Sequence, residues 1–279
     1  MESNTFDQSK ILFYMQRPNG ENLKGSLCLF HAENSWVQVL VDLDSAPELY
    51  EVAIANDKAY LIYHDDKTGG HFDIFDLKTR QMTKGPDPPE YRKKGYVAVY
   101  KNRVIYMDGR SLTVGGTTDR VDVLVDEKWQ KMQPFPIPIF GGCCTICNDK
   151  LYVLCGSNSF IFELSEDERE WTFKATHHGD ENSAIASHDG KIYVTGGKFK
   201  NISIRQSTYC VDPQVPFENQ LTKLADMNCK RMSHSMFFAN GKLYAIGGFS
   251  GIPPNEFCKS IEEYDPSTNE WKIVGSLDN

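Results

Sequence analysis

Short apolar runs separated by polar turns recur along the whole chain. Near the C-terminus the sequence reads ANGKLYAIGG from Ala239 to Gly248, and earlier it reads HDGKIYVTGG from His188 to Gly197. Such runs are rich in Val, Ile, Tyr and Phe and are bounded by Gly, Asn, Asp and Pro, which is typical of β-strands. No segment sustains a helical period over three turns. The pattern therefore predicts an all-β protein.

The runs repeat with a fixed period. Alignment places one residue of each of six copies in register: Leu12, Tyr60, Ile105, Tyr152, Tyr193 and Tyr244, at spacings of 48, 45, 47, 41 and 51 residues. A period in this range is typical of propellers, solenoids and arrays. Each copy continues with a second apolar run, a polar turn and an anchor residue. The anchors are Trp36, Met82, Trp129, Trp171 and Trp271, and in the fifth copy Leu221 or Leu224 takes the place. Four short strands per copy describe one propeller blade.

The repeat resembles the Kelch motif. The sixth copy carries it in full, with Arg231-x-x-His234, Gly241 to Tyr244, Gly247-Gly248, Tyr264-Asp265-Pro266 and Trp271. Earlier copies depart from it: the glycine pair is Cys155-Gly156 in the fourth copy, Asp108-Gly109 in the third and Tyr63-His64 in the second. The resemblance covers about residues 10–274 and implies a six-bladed Kelch-type β-propeller with four-stranded blades.

We expect residues 1–9 to be an extension and residues 10–279 to form a single propeller. The expected blades span about residues 10–43, 50–84, 95–132, 140–174, 182–225 and 232–274. The double glycines let the inner strands approach one another, and the aromatic anchors pack between blades. The first copy begins at its second strand, since nothing before Ser9 has a strand pattern. In BTB–Kelch propellers a strand after the last Trp completes the first blade, and the chain stops too soon for that. Either the chain is an excised fragment or its first blade has three strands.

Charge and composition exclude several classes of function. The net charge of -8 and the pI of about 5.4 argue against a nucleic-acid binder, which needs a basic surface. No apolar stretch has the length of a membrane span and the N-terminus is not a secretory signal, so we expect a cytoplasmic protein. Of the eight cysteines, Cys144 and Cys147 have a CxxC spacing. Residues i and i+3 of a strand point to opposite faces, so we expect buried thiols, no metal and no cofactor.

Loop content points to a binding face. The Gly-Lys turns and the Asp-Pro-Ser-Thr-Asn turn are short and regular, whereas the loops after each second strand and between blades vary, as binding loops on a rigid scaffold do. Aromatic residues beside arginines are typical of interface hot spots. The candidate partner-binding residues are Tyr91, Arg92, Arg110, His178, Phe199, Arg231 and Phe249. The competing interpretation of Phe199 and Phe249 is that they fold over the blade as core caps. The expected ligand is an acidic or hydroxyl-bearing peptide segment.

Two classes of function fit the repeat. The first is a protein-interaction module, and the resemblance implies the substrate-recognition domain of a BTB–Kelch adaptor for a cullin-type ubiquitin ligase. The cullin would be reached only through a BTB domain, of which this sequence has none, so that step follows from the resemblance alone. An actin-associated Kelch scaffold belongs to the same class. The second class is a sugar-processing enzyme of Kelch-like fold, which needs convergent Tyr, His and Cys ligands. Only His64, His177 and His178 are candidates, without a partner set, so we expect no enzyme.

Overall fold

The structure, a computed structural model, describes residues 10–19, 22–43, 52–65, 69–113, 115–155, 160–176, 180–199, 202–251 and 256–277. Within these ranges the repeating elements are β-strands, and the helical content is one 3₁₀ turn, Phe217–Asn219. The predicted all-β fold class is therefore confirmed. No helix in the described part of the chain has the length and apolar character needed to cross a membrane.

The six sequence copies form six consecutive sheets, the architecture of a six-bladed β-propeller. Blade 1 comprises β1 (Lys10–Asn19), β2 (Asn22–His31) and β3 (Trp36–Asp42). Blade 2 comprises β4 (Ala53–Ala55), β5 (Lys58–Asp65), β6 (Gly69–Asp76) and β7 (Met82–Lys84). Blade 3 comprises β9 (Tyr96–Tyr100), β10 (Arg103–Met107), β12 (Val121–Val125) and β13 (Lys128–Lys131). Two short strands accompany it: β8 (Arg92–Lys93) precedes the blade, and β11 (Arg110–Ser111) lies in the loop between β10 and β12.

The second half of the chain repeats this plan. Blade 4 comprises β14 (Cys143–Cys147), β15 (Lys150–Cys155), β16 (Phe160–Leu164) and β17 (Trp171–Thr176). Blade 5 comprises β19 (Ala184–His188), β20 (Lys191–Thr195), β23 (Thr208–Val211) and β24 (Leu221–Lys223), accompanied by β18 (Asp180–Glu181), β21 (Lys198–Phe199) and β22 (Ser203–Ile204). Blade 6 comprises β25 (Ser235–Ala239), β26 (Lys242–Ile246), β27 (Ser260–Asp265) and β28 (Glu270–Ser276).

The chain divides into two compact units. Residues 1–46 and 174–279 form one, which holds blades 1, 5 and 6, and residues 47–173 form the other, which holds blades 2, 3 and most of blade 4. We call them the discontinuous unit and the continuous unit and describe each by itself.

Two-residue turns join the first and second strands of blades 2 to 6. Both turn residues have positive φ in every case: Asn56-Asp57, Lys101-Asn102, Asn148-Asp149, Asp189-Gly190 and Asn240-Gly241. Two such residues make the type I′ turn, whose twist matches that of the flanking strands. The polar turns seen in the sequence thus set the register of each hairpin, as in the pairing of Ala239 with Lys242.

Three of the four tryptophans anchor their blades as predicted. Trp171 and Trp271 are buried and Trp129 is half-buried. Each indole donates a hydrogen bond to a residue in or just after the preceding blade. Trp129 donates to the Pro86 carbonyl after blade 2 at 2.7 Å, and Trp171 donates to the Gln133 carbonyl after blade 3 at 3.0 Å. Trp271 donates to Thr208 Oγ1 on β23 of blade 5 at 3.0 Å. The prediction is wrong for Trp36, which is 42% exposed and lies against the ring of His31.

Blade 1 has three strands within the described residues, as one of the two sequence interpretations required. It packs against blade 6 inside the discontinuous unit, where the ring of Phe30 lies 5.3 Å from Phe237 and 4.9 Å from Tyr244. Residues from the start and the end of the chain therefore share one apolar core.

Candidate functional site

In blades 3 and 5 the loop after the second strand forms β-pairs with the segment that precedes the first strand. In the continuous unit, β11 pairs with β8, so that Arg110 is opposite Lys93 and Ser111 is opposite Arg92. In the discontinuous unit, β21 pairs with both β18 and β22. These local sheets give the loops a fixed backbone, on which the predicted binding residues can be placed one by one.

Arg92 was predicted to lie on the binding surface, and this is wrong because its side chain is fully buried. The guanidinium donates to Asp122 Oδ2 at 3.0 Å and to the Arg120 carbonyl at 2.7 Å, and it stacks on the ring of Tyr106 at 4.0 Å. Asp122 is also fully buried, so the two charges form a paired, desolvated bridge between the inter-blade segment and the third strand of blade 3.

Arg231 is the equivalent residue of blade 6 and is also fully buried, so its predicted surface position is wrong as well. Its guanidinium donates to Glu262 Oε1 at 2.7 Å, to Ser260 Oγ at 2.7 Å and to the carbonyls of Ser260 and Gly247 at 3.0 and 2.9 Å. The backbone amides of Asn228 and Cys229 donate to the same carboxylate. The arginine of the sixth copy therefore holds the blade together.

The aromatic candidates divide between core and surface. Phe249 is 1% exposed, pairs with Met232 and Phe257 and contacts the Phe257 ring at 5.6 Å, so the core-cap interpretation applies to it. Tyr91 is half-buried, and its hydroxyl donates to Asp87 Oδ1 at 2.6 Å. Burial, followed by this bond to Asp87, raises the pKa of Tyr91. Phe249 is therefore not available to a partner, whereas the binding role of the half-buried Tyr91 stays a prediction.

Arg110 is the candidate that the structure leaves exposed in the continuous unit, with its Nε bonded to the Gly115 carbonyl at 3.0 Å. It stands beside a groove of about 510 Å³, which we call the blade-3 groove. The lining consists of Pro89, Glu90, Ser111, Thr113, Thr117, Thr118, Asp119, Arg120 and Pro138. All of these residues come from the loop after β10 or from the two inter-blade segments.

Hydroxyl groups and two charged side chains define the blade-3 groove. Ser111 Oγ and the Thr113 amide donate to Glu90 Oε1. Burial opposes ionisation of Glu90, but these bonds outweigh it and lower the pKa of the carboxyl. Arg120 lines the groove, has 33% of its side chain exposed and donates through its Nε to Asp122 Oδ2 at 2.8 Å. The groove thus offers donors, acceptors and hydroxyls to an extended polar ligand.

A second groove, which we call the blade-5 groove, lies in the discontinuous unit. It encloses about 600 Å³ and is lined by Phe199, Ile204, Arg205, Gln206, Ser207, Tyr209, Lys223 and Asp226. Phe199 is half-buried, with the Arg205 guanidinium 4.8 Å from its ring centre, and the Lys223 ammonium lies 5.1 Å from the ring of Tyr209. At the hairpin tip nearby, Ile202 is 80% exposed. Aromatic rings covered by cations are common at protein interfaces.

The remaining candidate, His178, lies outside the described residues. Among the residues that the structure describes, no three His, Cys, Asp or Glu side chains are placed to hold a metal ion. Cys144 and Cys147 both lie on β14 and are buried, at 5% and 3% exposure.

Sequence reasoning missed Glu90 and Arg120 as groove residues. It also missed the buried carboxylates Asp122 and Glu262, although a signal existed. Both stand inside apolar third-strand runs, Val121-Asp122-Val123 and Ile261-Glu262-Glu263. A carboxylate within a buried strand needs a cation, and Arg92 and Arg231 each stand 13 residues before the in-register position of their copy.

Comparison with known proteins agrees with this architecture. The Kelch motif family model matches residues 230–277. The chain is 26% identical over 160 residues to Kelch-like protein 23 of Homo sapiens, covering 54% of this chain and 27% of that protein. It is 27% identical over 222 residues to Kelch-like protein 25 of Xenopus tropicalis, covering 73% and 36%, and 30% identical over 165 residues to Kelch-like protein 15 of Danio rerio, covering 58% and 22%. The chain therefore spans well under half the length of these relatives.

A solved structure, that of YjhT, matches with a TM-score of 0.67 and 16% sequence identity over 81% of this chain and 83% of that one, which bears on the fold alone. The period, the six sheets and the sequence matches together identify the chain as a Kelch-repeat β-propeller that resembles the Kelch domain of the Kelch-like proteins.

Proposed function

We propose that this chain is a protein-interaction module that binds a peptide segment of its partner through the variable loops. The observation that carries the proposal is the pairing of those loops with the inter-blade segments, in β8–β11 and in β18–β21–β22. Such pairing presents groove-lining side chains on a fixed backbone. A preorganised surface loses less entropy when it binds.

The composition of the grooves supports a ligand with carboxylate and hydroxyl groups. Arg120 lines the blade-3 groove and the exposed Arg110 adjoins its lining residue Ser111 in the sequence, and guanidinium donors match a carboxylate in a forked geometry. Ser111, Thr113 and Thr117 carry hydroxyl groups and line the same groove. The blade-5 groove adds an apolar wall at Phe199.

We further propose that the module acts by binding and not by catalysis, in a cytoplasmic protein. The buried charges support this view, because Arg92 with Asp122 and Arg231 with Glu262 neutralise each other inside the blades. The similarity to Kelch-like proteins supports a finer proposal, in which the chain is the substrate-recognition domain of a BTB–Kelch adaptor for a cullin-type ligase.

Quantitative affinity capture from cell lysate tests the binding face. The variants are Arg110→Glu at the blade-3 groove and Phe199→Ala at the blade-5 groove, and the matched control is Lys191→Glu on an exposed turn residue at the other end of blade 5. We expect a shared set of captured proteins to fall about tenfold with a groove variant and to be retained by the control, at unchanged melting temperature. Loss of capture with Lys191→Glu alone would place the site on the turn face and contradict the proposal. Absence of a cullin from material captured with the natural full-length protein would contradict the adaptor role.

A further inference from the structure

Asp108 occupies a position where the repeat has glycine. It follows the in-register residue Ile105 by three positions, as Gly247 follows Tyr244 in blade 6. Its φ is 63°, close to the 67° of Gly247, so its backbone is left-handed. Asp tolerates this conformation better than most residues, yet at a cost that glycine avoids. The side chain is also fully buried, and a buried carboxyl at such a position needs a reason.

The carboxyl group joins two segments that line the blade-3 groove. Oδ1 accepts a hydrogen bond from the Gly109 amide and Oδ2 accepts one from the Gly142 amide at 2.9 Å. Gly109 begins the loop that carries the groove residues, and its carbonyl accepts from the Thr118 amide at 3.2 Å. Gly142 ends the segment that includes Pro138, and Ile139 of that segment pairs with Thr118. Asp108 therefore fixes one wall of the groove against the other.

In the corresponding contact between blades 5 and 6 the glycine and the large polar side chain exchange positions. There Gly196 stands at the position of Asp108, and His234 stands at the position of Gly142. A Cβ on Gly196 would lie 2.9 Å from His234 Cε1, and a Cβ on Gly142 would lie 3.1 Å from Asp108 Oδ2. At both glycines the atom nearest to such a Cβ is a backbone carbonyl oxygen, that of Arg231 or of Leu154 at 2.4 Å, so backbone and side chain together leave room for glycine alone opposite His234 and Asp108. In blade 3 the large side chain is an acid that reaches the backbone of the next blade.

The surroundings of Asp108 oppose its ionisation. Burial raises the pKa of Asp108 to about 6, against the effect of the bonds from Gly109 and Gly142 and of the Arg92 charge, which favour the carboxylate. Two other titratable groups interact electrostatically with Asp108, the phenol of Tyr96 on β9 and the thiol of Cys155 on β15, and the thiols of Cys143 and Cys144 on β14 interact in turn with Tyr96. Proton uptake by Asp108 therefore falls within the pH range that a cell can reach.

We propose that Asp108 is a proton-sensitive positioning residue, whose carboxylate holds the two walls of the blade-3 groove together and whose protonation loosens them. An ionised acceptor makes shorter and stronger hydrogen bonds than a neutral one. When an oxygen of Asp108 takes up a proton, the amide bonded to that oxygen loses the charge-assisted part of its bond. The effect on ligand binding rests on the proposed function, whereas the effect on the walls does not.

Amide NMR of the whole chain tests the wall contact without any ligand. The resonances of Gly109 and Gly142 are followed from pH 7.5 to pH 5 in the wild type, in Asp108→Asn and in Asp108→Gly, which restores the glycine of the repeat. We expect both amides to shift together with a midpoint near pH 6 in the wild type and in neither variant. At pH 7.5 the Gly142 amide should exchange with solvent about tenfold faster in Asp108→Asn, because a neutral acceptor replaces a charged one. The amide of Gly196 is the internal control and should not follow this titration.

Two results separate this proposal from the one on function. If the two amides do not titrate together, or if they still do so in Asp108→Asn, Asp108 does not hold the walls and the inference fails. If they titrate as expected but capture of partners is the same at pH 7.5 and pH 5.5 and is insensitive to Arg110→Glu, the wall contact stands. In that case the blade-3 groove is not the binding site.

Discussion

The replacement Arg231→Met tests whether this arginine is a structural or a surface residue. Methionine retains much of the apolar stem and removes the guanidinium, so the change is chiefly one of charge and hydrogen bonding. Four hydrogen bonds disappear, among them the 2.7 Å bond to Glu262. Glu262 stays buried without its cation.

The magnitude follows from what remains around Glu262. Removal of one partner from a buried ion pair costs about 3–5 kcal/mol. The carboxylate keeps its bonds from the amides of Asn228 and Cys229, at 2.6 and 3.0 Å, so we expect the lower end of that range. A loss of about 3 kcal/mol lowers the melting temperature of a chain of this size by roughly 6–12 °C.

Thermal and urea unfolding, followed by circular dichroism, measure the effect. The matched control is Arg110→Met, at an exposed arginine whose Nε bonds the Gly115 carbonyl, and it should change the free energy of unfolding by less than about 0.5 kcal/mol. A double-mutant cycle with Glu262→Gln should show a coupling free energy of about 1–3 kcal/mol. Equal melting temperatures for Arg231→Met and Arg110→Met, together with loss of partner capture for the former, would show that Arg231 is a surface contact and refute the argument.

Three further predictions concern packing, thiols and pH. Trp271→Ala should cost about 3–5 kcal/mol, and Trp36→Ala should cost roughly half of that because its ring is 42% exposed; equal losses in chemical denaturation would contradict the anchor assignment. Protein purified without chelator should contain far less than one equivalent of zinc by mass spectrometry, and no disulfide should link Cys144 and Cys147. Burial of Asp108 favours the neutral acid in the folded state by more than the bonds from Gly109 and Gly142 favour the carboxylate, so protonation stabilises the fold as a whole although it weakens those two bonds. Because the folded-state pKa of about 6 lies above the ordinary value of 3.8, this contribution to stability is present below pH 4 and is lost as the pH rises through 6. Relative to Asp108→Asn, the wild type should therefore gain about 2.5 kcal/mol between pH 7.5 and pH 4, and a constant difference across this range would rule out that pKa.

The period and the turn chemistry were sufficient to predict the fold. Asn240-Gly241 and Asp189-Gly190 are residues that accept positive φ, so the hairpins could be located from local sequence alone. A three-stranded first blade was one of two interpretations left open by the pattern, in which the first apolar run aligned with second strands, and the described residues of blade 1 form three strands. These features depend on backbone conformation and on alternation along single strands, which a sequence shows directly.

Surface exposure of the long cationic side chains could not be predicted in the same way. Arg92 and Arg110 lie on the paired strands β8 and β11, yet the first is fully buried and the second is exposed. The difference arises from Asp122, a residue of a neighbouring strand that neutralises Arg92. An arginine is buried only where the fold brings a carboxylate to it, and that partner comes from a different part of the repeat.

The shared core of blades 1 and 6 has a consequence for folding during synthesis. Residues 47–173 form the continuous unit and can begin to fold as soon as they leave the ribosome. The strands of blade 1 emerge earlier, but their apolar faces are covered by Phe237, Tyr244 and other residues near the opposite end of the chain. At roughly 5–20 residues per second, translation of residues 174–279 takes about 5–20 s. During that interval Phe13, Met15 and Phe30 remain without their contacts with blade 6, so the apolar face of blade 1 is the surface that chaperones would have to protect.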